Sequence, residues 1–159
     1  IYSQKQKLII LTSIGRIFKF DLSNKFLNPS SKQSQGLLLI NLLPTEQIVS
    51  CCNSKEEDIL YLVSKKGKFF KLKIDDIYDS HKAKLGYVNE KIQLKNDHFI
   101  KIFPSNQYID IETNKNRYAR LDLNKLTLNS GKNILKIDFL NLEKDEYLEN
   151  CSRLENFLN

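Results

Sequence analysis

Apolar and polar residues alternate along this chain in short runs, and the runs recur. LIILT (Leu8 to Thr12), ILYLVS (Ile59 to Ser64) and YIDIET (Tyr108 to Thr113) are each followed by a polar turn and a second alternating run. The stretch TSIGRIFKFDL, Thr12 to Leu22, thus has copies in SKKGKFFKLKI, Ser64 to Ile74, and TNKNRYARLDL, Thr113 to Leu123. Gly15, Gly67 and Asn116 hold equivalent places, which sets repeat periods of 52 and 49 residues. Period-two alternation on both sides of a short turn predicts a β-hairpin. Glycine, with asparagine as the second choice, supplies the positive φ that the turn requires. A period near 50 residues marks a propeller-like array in which each repeat is one supersecondary unit.

The first repeat runs from about residue 7 to 52. After its hairpin comes a polar stretch with a loop signal at Asn28-Pro29-Ser30-Ser31, then LLLINLL after Gly36, which predicts a third strand buried on both faces. IVSCC predicts a fourth. The second repeat, about 58–103, follows its hairpin with VNEKIQL and FIKIF; the third, about 107–142, with ILKIDFL. The third is degraded, because Asp110 and Glu112 put acid where the earlier copies are apolar or neutral. Four strands per repeat predict an all-β array of about three four-stranded blades. In residues 143–159, Tyr147, Leu148, Cys151, Leu154 and Phe157 or Leu158 recur at spacings of three and four, which predicts a short amphipathic helix packed on the last blade. An acidic regulatory tail is the other reading of that segment.

Charge sharpens the picture. The net charge of +6 is unevenly spread: residues 143–159 carry two basic and five acidic residues, and the rest is +9. A basic body with an acidic tail points to a polyanionic partner. The cations keep register. Arg16, Lys68 and Arg117 follow the turn residue directly, and Lys19, Lys71 and Arg120 come three places later. By strand alternation Lys19, Lys71 and Arg120 share a face with Ile17, Phe69 and Tyr118. Any one of these cations reads as the solvated face of a sheet, whereas six at two equivalent positions predict a basic stripe. Lys66 and Lys73 thicken the second hairpin, and Lys25, Lys32, Lys82 and Lys84 lie in the loops.

Other chemistry finds little support. No apolar run is long enough to cross a membrane as a helix, and no signal peptide is visible. Ile1 in place of Met leads to the expectation that the chain is a piece of something longer. Three cysteines without framework spacing, two of them the adjacent Cys51 and Cys52, argue for a reducing compartment and against disulfides. His81 and His98 have no partner at zinc-ligand spacing. Asp75 and Asp76 read as capping the turn or ending the strand, since no third ligand is near. There is no nucleophile elbow, phosphate loop or paired metal-binding histidine motif, so no catalytic residue, cofactor or metal is expected.

The run IILTSIGRIFKFDLSN…QGLLLINLLPTEQIVSCC, with ILYLVSKKGKFFKLKIDDI after it, resembles the C-terminal DNA-wrapping domain of bacterial type IIA topoisomerase A subunits, those of DNA gyrase and topoisomerase IV. NLLPTEQI, Asn41 to Ile48, is the most specific piece, and the resemblance spans roughly residues 7 to 142. It implies a β-pinwheel, either three blades or part of a five- or six-bladed ring. It also implies a cytoplasmic protein whose partners are double-stranded DNA, the rest of the A subunit and the ATPase B subunit. In that family DNA cleavage and ATP hydrolysis lie outside this domain, so the chain is expected to be catalytically silent. The DNA-binding residues it implies are Arg16, Lys19, Lys25, Lys32, Lys66, Lys68, Lys71, Lys73, Lys82, Lys84, Arg117 and Arg120. The gyrase-type Q-R-R-G-G-K-G box does not occur in these residues, which leaves gyrase, topoisomerase IV and a divergent paralog open. A protein-interaction propeller is the rival reading, although the W-D and G-H marks of the commonest kind are missing.

Overall fold

In the computed structural model, which describes residues 6–22, 38–55, 58–80, 86–88, 92, 94–105, 108–125, 134–136 and 142–153, the three hairpins form and each nucleates a sheet. Strands β1 (Gln6–Thr12) and β2 (Ile17–Asp21) make the first, β4 (Ile59–Ser64) and β5 (Lys68–Lys73) the second, and β7 (Tyr108–Thr113) and β8 (Tyr118–Asp122) the third. Gly15, Gly67 and Asn116 adopt φ of 89°, 73° and 56°. The Thr or Ser three places before the turn residue has its own task. The hydroxyls of Thr12, Ser64 and Thr113 accept the backbone N–H of Arg16, Lys68 and Arg117 at 3.1, 3.0 and 3.4 Å. The T/S-x-x-G pattern is therefore a hydroxyl-capped turn.

A third strand pairs antiparallel with the first strand of each hairpin. These are β3 (Ile48–Lys55) on β1, β6 (Phe99–Pro104) on β4, and β10 (Leu148–Arg153) on β7. The remaining strand crosses between repeats: β9 (Ile134–Lys136), from the third repeat, pairs with β5 of the second. At the equivalent place Tyr87 exchanges two backbone hydrogen bonds with Ile17, at 2.7 and 2.9 Å. Gly86 permits that approach, since a Cβ there would stand 2.8 Å from Phe18 Cζ and 2.9 Å from the Ile17 carbonyl oxygen. The three sheets, here called blades 1 to 3, have the strand orders β2-β1-β3, β6-β4-β5-β9 and β10-β7-β8.

The core lies between blades. Ile9, Leu11 and Ile17 of blade 1 pack on Leu60, Leu62, Phe70 and Leu72 of blade 2, and Tyr61, Val63 and Phe69 on the far side of blade 2 pack on Ile109, Ile111 and Leu121 of blade 3. Blade 2 is thus apolar on both faces, and burying each such side chain contributes roughly 1.5–3 kcal/mol.

Two expectations need correcting. Residues 38–43, read as a doubly buried strand, form no strand; Leu38, Leu42 and Leu43 are exposed, and only Leu39 and Ile40 pack against Ile10, Phe18 and Phe20. An apolar run cannot report its own partner, and here no neighbouring hairpin takes it up as β5 takes up β9. The acidic tail is not a helix over its described part. Residues 148–153 form β10, whose Leu148 and Cys151 are buried in the seam between blades 2 and 3; the spacing of three between these two spans a bulge between Leu148 and Asn150. Residues 154–159 lie outside the described residues.

Candidate nucleic-acid interface

Each hairpin turn is braced by a later loop with its own left-handed residue. Thr45, Asn96 and Asp145 have φ of 69°, 55° and 64°, and each precedes an acid: Glu46, Asp97 or Glu146. The loop backbones hold the turns through Ser13 N–H to the Gln47 carbonyl at 2.9 Å, Lys65 N–H to His98 at 2.8 Å and Asn114 N–H to Tyr147 at 3.1 Å. These acids decide what the cations next to them can do.

In blade 1 the acid captures the cation. Glu46 accepts hydrogen bonds from Arg16 Nε, at 2.8 Å, and from Nη2; Arg16 Nη2 also reaches the Asn41 carbonyl at 2.8 Å, and the guanidinium lies over the Phe18 ring. Both side chains are almost fully buried, at 4% and 1% exposure. Burial alone pushes the Glu46 carboxyl up, but hydrogen bonds from Arg16, Thr12 and the Leu43 N–H outweigh it and hold the carboxyl at about 2. Lys19 is buried as well. Its ammonium meets Asp79 at 3.3 Å and the Ile74 carbonyl at 3.4 Å, tying blade 1 to the segment after β5. The expected stripe is therefore interrupted in blade 1, because the loop at residues 41–47 closes over Arg16 and the segment after β5 covers Lys19.

In blade 3 the cations are exposed but engaged. Arg117 Nη1 binds Glu146 Oε2 at 3.0 Å, Lys115 binds Glu143 at 2.8 Å, and Arg120 makes a two-point contact with Asp110 at 2.8 and 3.0 Å. The Asp110 carboxyl is lowered by its hydrogen bonds from Arg120, and that of Glu146 by the Glu143 N–H and the Thr113 hydroxyl.

Blade 2 differs from both. Lys66 and Lys73 are exposed, Lys68 and Lys71 half-buried, and among the described residues no carboxylate pairs with any of the four. Asp97, the acid equivalent to Glu46, accepts the backbone N–H of Lys66 and His98 in place of a side-chain cation. Lys65 lies over the Tyr147 ring, 4.0 Å from its centre. The structure thus gathers Lys66, Lys68, Lys71 and Lys73 on one hairpin. Lys25, Lys32, Lys82 and Lys84 lie outside the described residues. Sequence reading missed the bracing acids, yet a signal exists: NLLPTEQI at Asn41 to Ile48 and NLEKDEYL at Asn141 to Leu148 share Asn, Leu and Glu at three places.

No protein-family model matches the chain, and no curated protein matches it in sequence. Solved structures do match in fold, and the class they define is the β-pinwheel. A DNA gyrase A C-terminal domain superposes with a TM-score of 0.70 at 20% identity, over 96% of this chain and 50% of that one. The C-terminal domain of a DNA topoisomerase IV gives 0.66 at 17%, over 96% and 46%. The E. coli ParC C-terminal domain gives 0.64 at 17%, over 94% and 62%. The chain therefore has the fold of these domains and spans about half of their length.

Proposed function

We propose that this chain is a non-catalytic module that binds duplex DNA through its phosphates, with the blade 2 hairpin as its main contact. One observation carries the reading: Lys66, Lys68, Lys71 and Lys73 lie on one hairpin with no carboxylate partner among the described residues, in a fold shared with gyrase and topoisomerase IV C-terminal domains. Ammonium groups that neutralise phosphates release condensed counterions, which yields affinity without base readout. Bending DNA over the array costs on the order of a few kcal/mol, so contacts beyond one hairpin must share it. Arg117 and Arg120 join only by exchanging a carboxylate for a phosphate. Within a parent type IIA topoisomerase A subunit, paired with its ATPase subunit in the cytoplasm, the module would hold the segment that is presented for strand passage.

The test is binding to a random-sequence duplex of about 40 base pairs over a salt series. Four phosphate contacts predict a log–log slope of roughly −3.6. Absence of binding at low salt would favour the protein-interaction reading.

A further inference from the structure

The blades meet through one repeating kind of seam. Ile9, Leu11 and Ile17 on blade 1 are matched in the repeat by Tyr61, Val63 and Phe69 on blade 2, and each trio is buried against the next blade. One repeat further on, the same positions hold Asp110, Glu112 and Tyr118. This third face is closed on itself by polar bonds: Arg120 grips Asp110 at two points, and the Tyr118 hydroxyl donates to Glu112 at 2.6 Å. Tyr118 is 71% exposed, against 0% for Phe69 at the equivalent position of blade 2 and 5% for Tyr61 on the same face.

We propose that blade 3 is the capping end of the array, with a far face built to stay in water and to take no further blade. Stacking a blade there would strip water from two carboxylates and a guanidinium, a cost that burying so few apolar atoms does not offset. Repeat arrays need such a polar terminal face to remain free of end-to-end association. Blade 1 is unlike it. Its outward face is apolar, formed by Ile10, Phe18 and Phe20 and covered by Leu39 and Ile40. Head-to-tail stacking of two copies would set that apolar face on the polar one, so the cap also opposes self-assembly in that sense. The proposal does not depend on DNA binding.

Hydroxyl-radical footprinting of the full chain tests it directly. Tyr118 is expected to be modified about tenfold faster than Tyr61, following their exposures of 71% and 5%, with no change as protein concentration rises. Protection of Tyr118 to the level of Tyr61, or protection that grows with concentration, overturns the cap. A second arm makes the face apolar with Asp110→Ile, Glu112→Val and Arg120→Leu. The cap predicts that this variant self-associates in sedimentation velocity where the parent does not. A variant with native β-sheet circular dichroism that stays monomeric also overturns it, and should the variant not fold, the footprint of the parent decides.

Discussion

The hairpins of blades 1 and 2 carry a cation at the same place in the turn and use it in opposite ways. Arg16 is sealed beneath the loop at residues 43–47 with Glu46, whereas Lys68 is partly exposed and has no carboxylate partner among the described residues. The difference does not lie in the hairpins, which share turn, hydroxyl cap and register. It lies in the loop that returns about 30 residues later, where Glu46 reaches the side chain in one blade and Asp97 stops at backbone N–H groups in the other. A conserved-looking basic position in a repeat is thus structural or available according to where the following acid points.

The comparison is broken most severely by Glu46→Gln, which leaves the Arg16 charge buried and unbalanced; a loss of roughly 3–5 kcal/mol in chemical denaturation is expected. Lys68→Gln in the matching place should leave stability within about 0.5 kcal/mol. Gly86→Ala drives a methyl into Phe18 and the Ile17 carbonyl, separating the crossing segment from β2, and is expected to cost about 1–3 kcal/mol. Acid titration separates the blades as well. Glu46 has its folded pKa depressed from 4.5 to about 2, so its contribution is present above 4.5 and disappears as pH falls from 4.5 through 2. Glu46→Gln should remove that part of the acid unfolding curve. The smallest effect is expected from Asp110→Asn, which frees Arg120: stability should move by no more than about 1 kcal/mol, while duplex binding strengthens and its salt slope steepens by at most about 0.9.

Much of this was written in the sequence. The hairpins were legible because a two-residue periodicity and a left-handed turn residue are local, and Asn116, which takes the glycine place with a φ of 56°, supports the register of the third copy. Strand partnership was not legible in the same way. The run after Gly36 and the run at Ile134 look alike as apolar stretches, yet among the described residues only the second meets a hairpin edge. Burial of Lys19 was equally hidden, since alternation assigns a face but cannot say that another blade will cover it. The bracing acids were visible in NLLPTEQI and NLEKDEYL, but their meaning depends on a fold in which residue 46 returns to residue 16.

The most direct measurement compares duplex affinity over a salt series for the parent chain, for Lys66→Gln/Lys68→Gln/Lys71→Gln/Lys73→Gln, and for Arg117→Gln/Arg120→Gln. The first variant is expected to lose most of the salt slope, while the second changes it by less than about one contact. Equal losses in both, or a loss confined to the blade 3 variant, would contradict the assignment of blade 2 as the phosphate-binding hairpin.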